Sequence, residues 1–98
     1  MIVAFSISPA VADDTGGVAD AVAEAVRVVR ASGLPNETNA MFTNIEGEWD
    51  EVMAVVKQAV DAVAAMSPRV SLVLKADIRP GYTGQLQAKV QRIEDALG

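Results

Sequence analysis

Lys75, Asp77 and Arg79 stand at every second position near the end of an alternating run, residues 69–79. In an extended strand this spacing puts the three charged side chains on one face, where they can bind a polar ligand or form ion pairs. The other face of the run is apolar and requires a cover of helices; its residues are Val70, Leu72, Leu74, Ala76 and Ile78. The charged face therefore either meets water or lines a polar site.

The chain contains no cysteine and no histidine. This composition excludes disulfides, thiolate or imidazole metal ligands, and nucleophiles or general bases of either type, and we predict no cofactor and no metal. An enzyme would have to pair two carboxylates, such as Glu46 and Asp77, for acid–base chemistry. Neither a nucleophile nor a metal-ligand cluster accompanies that pair. Residues 13–17 include two glycines but no lysine, so phosphate binding is not expected there.

Length and charge narrow the class of protein further. The 98 residues, 51% of them hydrophobic, predict one domain, 1–98, with a core of its own. The net charge is −5 and the eight Lys and Arg residues are dispersed, which argues against a nucleic-acid partner. Residues 1–5 resemble a strand and not a signal peptide. Apolar stretches end well before the ~20 residues that a membrane span requires. We therefore expect a cytoplasmic protein without membrane contact.

The first half of the chain predicts a strand followed by a helix. Residues 2–9 alternate with period two and end at a proline. Asp13, Asp14 and Thr15 supply capping oxygens for the helix, and Gly33 ends it. The apolar stripe of this helix has the spacing of one helical face; its members are Val18, Ala21, Val22, Ala25, Val26 and Val29.

The second half predicts two short strands, a helix, a long strand and a terminal helix. Residues 36–47 favour two short strands with a tight connection or bulge. Acidic residues then open the second helix, in which we expect Trp49 and Met53 to pack in the core. Its stripe is Trp49, Val52, Met53, Val56, Ala59, Val60 and Val63. Residues 80–81 turn the chain after the strand 69–79, and the terminal helix carries Leu86, Val90, Ile93 and Leu97.

The order β-α-β-β-α-β predicts a ferredoxin-like α+β sandwich with an extra C-terminal helix. In this fold two helices pack on one face of an antiparallel sheet, and the second face is uncovered. We expect that second face to meet water or to be buried between copies of the chain, with a ligand groove as a less common outcome. Its predicted residues are Ala4, Ser6, Ser8, Ser71, Val73, Lys75, Asp77 and Arg79.

Several segments occur in the order and spacing of a known family. They are Ser32-Gly-Leu34, Thr43-Asn-Ile-Glu-Gly47 followed by Glu48-Trp-Asp-Glu-Val-Met53, Lys75-Ala-Asp-Ile-Arg79 and the opening Phe5-Ser-Ile-Ser-Pro9. From residue 2 to about residue 95 the chain resembles the small thiamine-binding (hydroxymethylpyrimidine-binding) ferredoxin-like proteins. The resemblance implies a βαββαβ fold, assembly into homodimers or homotetramers, and binding of thiamine or its pyrimidine moiety without known catalysis. Phe42 departs from the family pattern, in which a small residue often precedes the threonine.

An aminopyrimidine carries a donor amino group beside ring-nitrogen acceptors. A protein that recognises it needs an acceptor for the amine, a hydroxyl or amide for the ring nitrogens, and an apolar wall. The predicted ligand-binding residues are Ser6, Asn39, Met41, Thr43, Asn44 and Asp77. Strand alternation puts Thr43 and Asn44 on opposite faces, so both can enter one pocket only if a bulge intervenes. Thr43 shares its face with Ile45, which predicts that it points toward the helices.

Several polar residues of the predicted strands also have a structural interpretation. Asp77 is flanked by Lys75 and Arg79 and can form a cross-strand ion pair instead of binding a ligand. Ser8 is small enough to let two sheets approach each other in a dimer, and Glu46 can serve as a helix-start charge or as a buried acceptor. The functional hypotheses are, in order, a binding module, an interaction protein whose sheet face serves only assembly, and an enzyme.

Overall fold

The computed structural model describes residues 1–9 and 17–98, which fold into four strands and three helices. In chain order the elements are β1 (Ile2–Pro9), α1 (Gly17–Ala31), β2 (Asn36–Thr38), β3 (Thr43–Glu46), α2 (Trp49–Ala64), β4 (Val70–Asp77) and α3 (Gln85–Leu97). The strand order is β2-β3-β1-β4, and each neighbouring pair is antiparallel. This arrangement confirms the predicted ferredoxin-like α+β fold, with α3 as the extra helix.

The core lies between one face of the sheet and the helices α1 and α2, which contact each other and β1. Val3, Phe5 and Ile7 alternate along β1 and are at most 6% exposed, as the period-two pattern predicts. Burial of each such side chain stabilises the fold by roughly 1.5–3 kcal/mol. The remaining buried apolar residues are Ala21, Ala25, Val29, Ile45, Val52, Val55, Val56, Ala59 and Val63.

The hairpin of β2 and β3 is shorter than the strand beside it. β3 pairs with β1 only from Ile2 to Phe5, whereas β4 pairs with β1 as far as Pro9. The end of β1, residues 6–9, therefore extends beyond β3. The two short strands predicted within residues 36–47 are confirmed, and the mismatch in length leaves a recess between the end of β1 and the turn of the hairpin.

We call the sheet face opposite α1 and α2 the open face. α3 is attached at the end of this face where Ile2 pairs with Glu46 and Asp77. The Glu46 carboxylate accepts the first backbone N–H groups of α3, and Lys89 of α3 forms an ion pair with Asp77. No residue of α3 is buried, and its apolar residues Val90, Ile93 and Leu97 are all exposed.

Two predictions about apolar residues are corrected. Trp49 does not pack in the core but is 53% exposed, because it is the first residue of α2 and lies at the end of the helix, whereas Val52 one turn later is fully buried. The apolar face of residues 70–78 is covered only in part. Leu72 and Ile78 are exposed, and Ile78 lies beyond the last residue of β4.

The predicted end of α1 is confirmed, since the helix stops at Ala31 and Gly33 adopts a φ of 77° that favours glycine. The predicted capping residues Asp13, Asp14 and Thr15 lie outside the described residues, as does the side chain of Val18. Within the described ranges, no helix has the length and apolar character that a membrane crossing requires.

Candidate functional site

A cavity of about 230 Å³ occupies the recess between the end of β1, helix α1 and the turn of the β2–β3 hairpin. We call it the hairpin cavity. β1 contributes residues 5–8, α1 contributes Val22, Ala25 and Val26, and the hairpin contributes residues 38–43. All of these side chains are uncharged, so the described part of the lining can recognise a ligand by hydrogen bonds and apolar contact.

Asn39 holds the turn that forms one wall of the cavity. Its Oδ1 accepts the backbone N–H groups of Met41 and Phe42, both at 2.9 Å, and its own N–H donates to the carbonyl of Phe42 at 2.9 Å. This pattern is an Asx turn, in which an asparagine side chain replaces a backbone acceptor. Because Oδ1 already accepts two hydrogen bonds, the Nδ2 group is the part of Asn39 left to contact a ligand.

Thr43 is the most deeply buried polar side chain of the hairpin cavity, with 8% of its surface exposed. It pairs with Phe5 and shares the helix-facing side of the sheet with Ile45, as alternation predicts. Its Oγ1 lies 3.4 Å from Oγ1 of Thr38. That separation exceeds the 2.5–3.0 Å of a strong hydroxyl–hydroxyl bond, so both hydroxyls keep hydrogen-bonding capacity for a ligand.

Four of the predicted ligand-binding residues line the hairpin cavity together: Ser6, Asn39, Met41 and Thr43. Ser6 belongs by alternation to the open face but reaches the cavity because β3 does not extend beside it. Met41 is 74% exposed and stands at the rim, and Phe42 is half-buried. The ligand contacts themselves remain predictions.

Asn44 and Asp77 lie apart from these four residues. Asn44 pairs with Ala4 and Asp77 pairs with Ile2, both on the open face. Along β1, Ile2 is three residues from Phe5, the partner of Thr43, which is about 10 Å at the rise of a strand. Asp77, the carboxylate that we expected opposite the ligand's amine, is thus not among the described residues that line the hairpin cavity, where hydroxyl and backbone oxygens are the acceptors available to that amine.

Asp77 forms an ion pair with Lys89 of α3, whose Nζ lies 2.7 Å from its Oδ2, so the partner lies on a helix and not on a neighbouring strand as the ion-pair alternative predicted. The hydrogen bond and charge of Lys89 lower the pKa of Asp77, and the more distant charges of Arg79 and Lys75 act in the same direction. Both members of the pair are about half exposed, so the pair is a surface contact of modest strength.

Of the two interpretations of Glu46, as a helix-start charge or as a buried acceptor, the structure supports the buried acceptor. It is 5% exposed, and its two oxygens accept the N–H groups of Gln85 at 2.9 Å and Leu86 at 3.2 Å. Gly84, which precedes α3, has no side chain to cap the helix, so Glu46 performs that function from a different strand. The carboxylate pair of the enzyme hypothesis is therefore engaged in attaching α3. The residues described include no cluster of acidic side chains that could hold a metal ion.

Sequence reasoning missed the α1 wall of the cavity and Thr38. Val22 and Val26 fall on the predicted stripe of α1, yet Val22 is 38% exposed because the short hairpin does not cover it. Thr38 pairs directly with Thr43. Two hydroxyl residues that flank a four-residue turn must lie opposite each other in a hairpin, so their spacing in the sequence could have predicted this pair.

The sequence of the chain matches a family described as thiamine-binding protein over residues 3–94. A UPF0045 protein of Mycobacterium bovis is 57% identical over 98 residues, which are 99% of this chain and 94% of the relative. A UPF0045 protein of a Synechocystis species is 36% identical over 77 residues, covering 78% of this chain and 64% of the relative.

Solved structures are similar across nearly the whole fold. The crystal structure of a hypothetical protein from Methanocaldococcus jannaschii has a TM-score of 0.83 at 31% identity and covers 95% of this chain and 94% of its own. A Thermotoga maritima protein, provisionally named for thiamine biosynthesis or salvage, has a TM-score of 0.77 at 25% identity and covers 93% and 97%. By the extent of the sequence match and the shared fold, the chain belongs to the thiamine-binding protein family.

Proposed function

We propose that this protein binds thiamine or its hydroxymethylpyrimidine moiety in the hairpin cavity, without catalysis. The observation that supports this proposal most is the pair of hydroxyls of Thr38 and Thr43, which line the hairpin cavity and are only weakly bonded to each other. A buried hydroxyl without a good partner is costly unless a ligand or water completes its hydrogen bonds.

The size and polarity of the cavity favour the pyrimidine ring over the whole vitamin as the buried part. Its volume of about 230 Å³ lies below the ~300–1,000 Å³ of sites that enclose drug-sized ligands. The hydroxyls can accept the exocyclic amine and donate to a ring nitrogen, and Phe42 and Val26 supply apolar walls. The thiazolium of thiamine would then remain at the rim, where a protein of net charge −5 does not repel it.

Phosphorylated forms are expected to bind less well. Phosphate recognition needs cationic side chains or a set of free backbone N–H groups, and the described residues of the lining include no Lys or Arg. The name of the family and the provisional name of the Thermotoga maritima relative support thiamine-related ligands.

The proposed form of the protein is a cytoplasmic homodimer or homotetramer of single-domain chains. Val73 on the open face is 56% exposed, and the apolar residues of α3 are exposed as well. Val90, Ile93 and Leu97 recur at the spacing of one face of α3, and an exposed apolar helix face is typical of a surface that another molecule covers. The same observation supports the second candidate, an interaction protein whose open face serves only assembly.

A calorimetric titration separates the two candidates. We expect saturable binding of thiamine and of 4-amino-5-hydroxymethyl-2-methylpyrimidine, a rise in melting temperature with either compound, and at least tenfold weaker binding of the phosphate ester of that pyrimidine, which would carry its phosphate into the cavity. An absence of heat and of any shift in melting temperature with all three compounds would favour the interaction protein. Turnover of any of them would contradict the non-catalytic proposal.

A further inference from the structure

A second cleft lies at the end of the sheet where β1 begins, whereas the hairpin cavity lies where β1 ends. This cleft contains the only tryptophan and the only tyrosine of the sequence. We call it the aromatic cleft. It has a volume of about 210 Å³ and lies between the start of α2 and the turn after β4. Its lining includes Glu48, Trp49, Ile78, Arg79, Pro80 and Tyr82.

The aromatic side chains in this cleft are positioned by the backbone and do not pack in the core. Trp49 is 53% exposed at the first position of α2, and Tyr82 is 46% exposed. The backbone N–H of Tyr82 donates to the carbonyl of Arg79 at 3.3 Å. This hydrogen bond closes the turn after β4, and the side chains of Arg79 and Tyr82 both line the cleft. A half-exposed tryptophan beside a half-exposed tyrosine offers flat apolar surface on which a planar ring can stack.

Arg79 adds a directed positive charge. Its guanidinium carbon lies 3.6 Å from the centre of the Tyr82 ring, so the planar group is stacked on the tyrosine. The ion pairs among residues 1–9 and 17–98 involve Arg27, Lys57 and Lys89, not Arg79. Stacking restrains the guanidinium while leaving its N–H edges available to bind a carboxylate.

We propose that the aromatic cleft binds a planar aromatic carboxylate, with its ring against Trp49 and its carboxylate on Arg79. This site is separate from the hairpin cavity and does not depend on the function proposed for that cavity. Glu48, which lines the same cleft, opposes such a ligand because it carries the same charge, as does Asp77 on the other side of Arg79. The sign of the effect of Glu48 therefore distinguishes an anionic ligand from a cationic one.

The single tryptophan makes the test direct, since all tryptophan fluorescence of the protein reports on this cleft. Nicotinate and nicotinamide serve as probes because they share a planar ring and differ in charge. We expect nicotinate to quench Trp49 emission saturably and nicotinamide to bind about tenfold more weakly, the loss that one charge-assisted hydrogen bond predicts. Free N-acetyltryptophanamide gives the collisional quenching to subtract.

Two variants complete the test. Arg79→Gln should weaken nicotinate to the level of nicotinamide, and Glu48→Gln should strengthen nicotinate about two- to threefold by removing a repulsive charge. Equal quenching by both probes, quenching no stronger than that of the free indole, or weaker nicotinate binding in Glu48→Gln would overturn the proposal. So would ligand-free emission that shifts to shorter wavelength as protein concentration rises, because a second copy would then be covering Trp49.

Discussion

The carboxylate of Glu46, the last residue of β3, accepts the backbone N–H of Gln85, the first residue of α3, at 2.9 Å. The two residues are 39 positions apart in the sequence. A long-range side chain thus caps a helix whose preceding residue is a glycine and whose own residues are not buried. The attachment of α3 depends on polar contacts to a degree that is unusual for an amphipathic helix.

We therefore expect Glu46→Ala to release α3 without unfolding the sheet. The substitution leaves two N–H groups at the start of α3 without their acceptor, which should cost roughly 1–3 kcal/mol. Hydrogen exchange should accelerate at residues 85–89 and change little in β1. Glu94→Ala, an exposed glutamate within α3, is the matched control. Unchanged exchange at the start of α3 in Glu46→Ala would contradict the capping role.

The pair of Asp77 and Lys89 should make the attachment of α3 sensitive to acid. Lys89 lowers the pKa of Asp77 below its ordinary value of 3.8, so the folded protein binds this proton less tightly than the unfolded chain does. The stabilisation from this group is present above pH 3.8 and is lost as the pH falls through the lowered pKa. In Lys89→Gln, the midpoint of Asp77 in an NMR titration should rise toward 3.8. A midpoint that does not move would show that Lys89 is not the cause.

The same position tests the predicted ligand contact of Asp77. Because Asp77 lies outside the hairpin cavity, we expect Asp77→Asn to loosen α3 while thiamine affinity stays within about twofold. A tenfold loss of affinity with α3 still attached would return Asp77 to the ligand site.

Thr43→Val should reduce affinity for the pyrimidine about tenfold, because it removes one hydrogen bond and keeps the shape of the side chain. The ligand-free protein should be equally or more stable, since a buried hydroxyl with only a 3.4 Å contact is replaced by a methyl group. Calorimetry and thermal unfolding measure the two effects. Asn44→Ala is the control on the opposite face and should affect assembly more than binding. The reverse result, loss of binding in Asn44→Ala alone, would place the ligand on the open face.

Val73→Lys should weaken assembly, because it places a charge in the middle of the open face where two sheets would meet. Sedimentation equilibrium at micromolar concentration should show a smaller species for the variant than for the native protein, which we propose to be a dimer or tetramer. Gln58→Lys adds the same charge on the exposed surface of α2 and should leave the mass unchanged. A native protein that sediments at about the 10.2 kDa of one chain would contradict assembly itself.

Sequence reasoning reached the fold because the alternation of β1 and the stripes of α1 and α2 have one physical solution, in which apolar residues meet between the helices and the sheet. It placed Thr43 on the helix side by the same argument. It could not identify Lys89 as the partner of Asp77, because the position of α3 depends on a cap from Glu46 that no local pattern encodes. Trp49 was misassigned because periodicity does not show where the sheet beneath a helix ends.

The side chains known to line the hairpin cavity, within residues 1–9 and 17–98, are uncharged, and this has a consequence for the rates of ligand exchange. A cationic ligand such as thiamine is attracted by the net charge of −5 at a distance, but the contacts that it would leave at these side chains carry no charge. Salt should therefore slow its association, through screening over a Debye length of about 8 Å at physiological ionic strength, and leave its dissociation almost unchanged. For the neutral pyrimidine alcohol neither rate constant should depend on salt, so added salt would change the relative association rates of the two compounds and leave the ratio of their residence times almost unchanged.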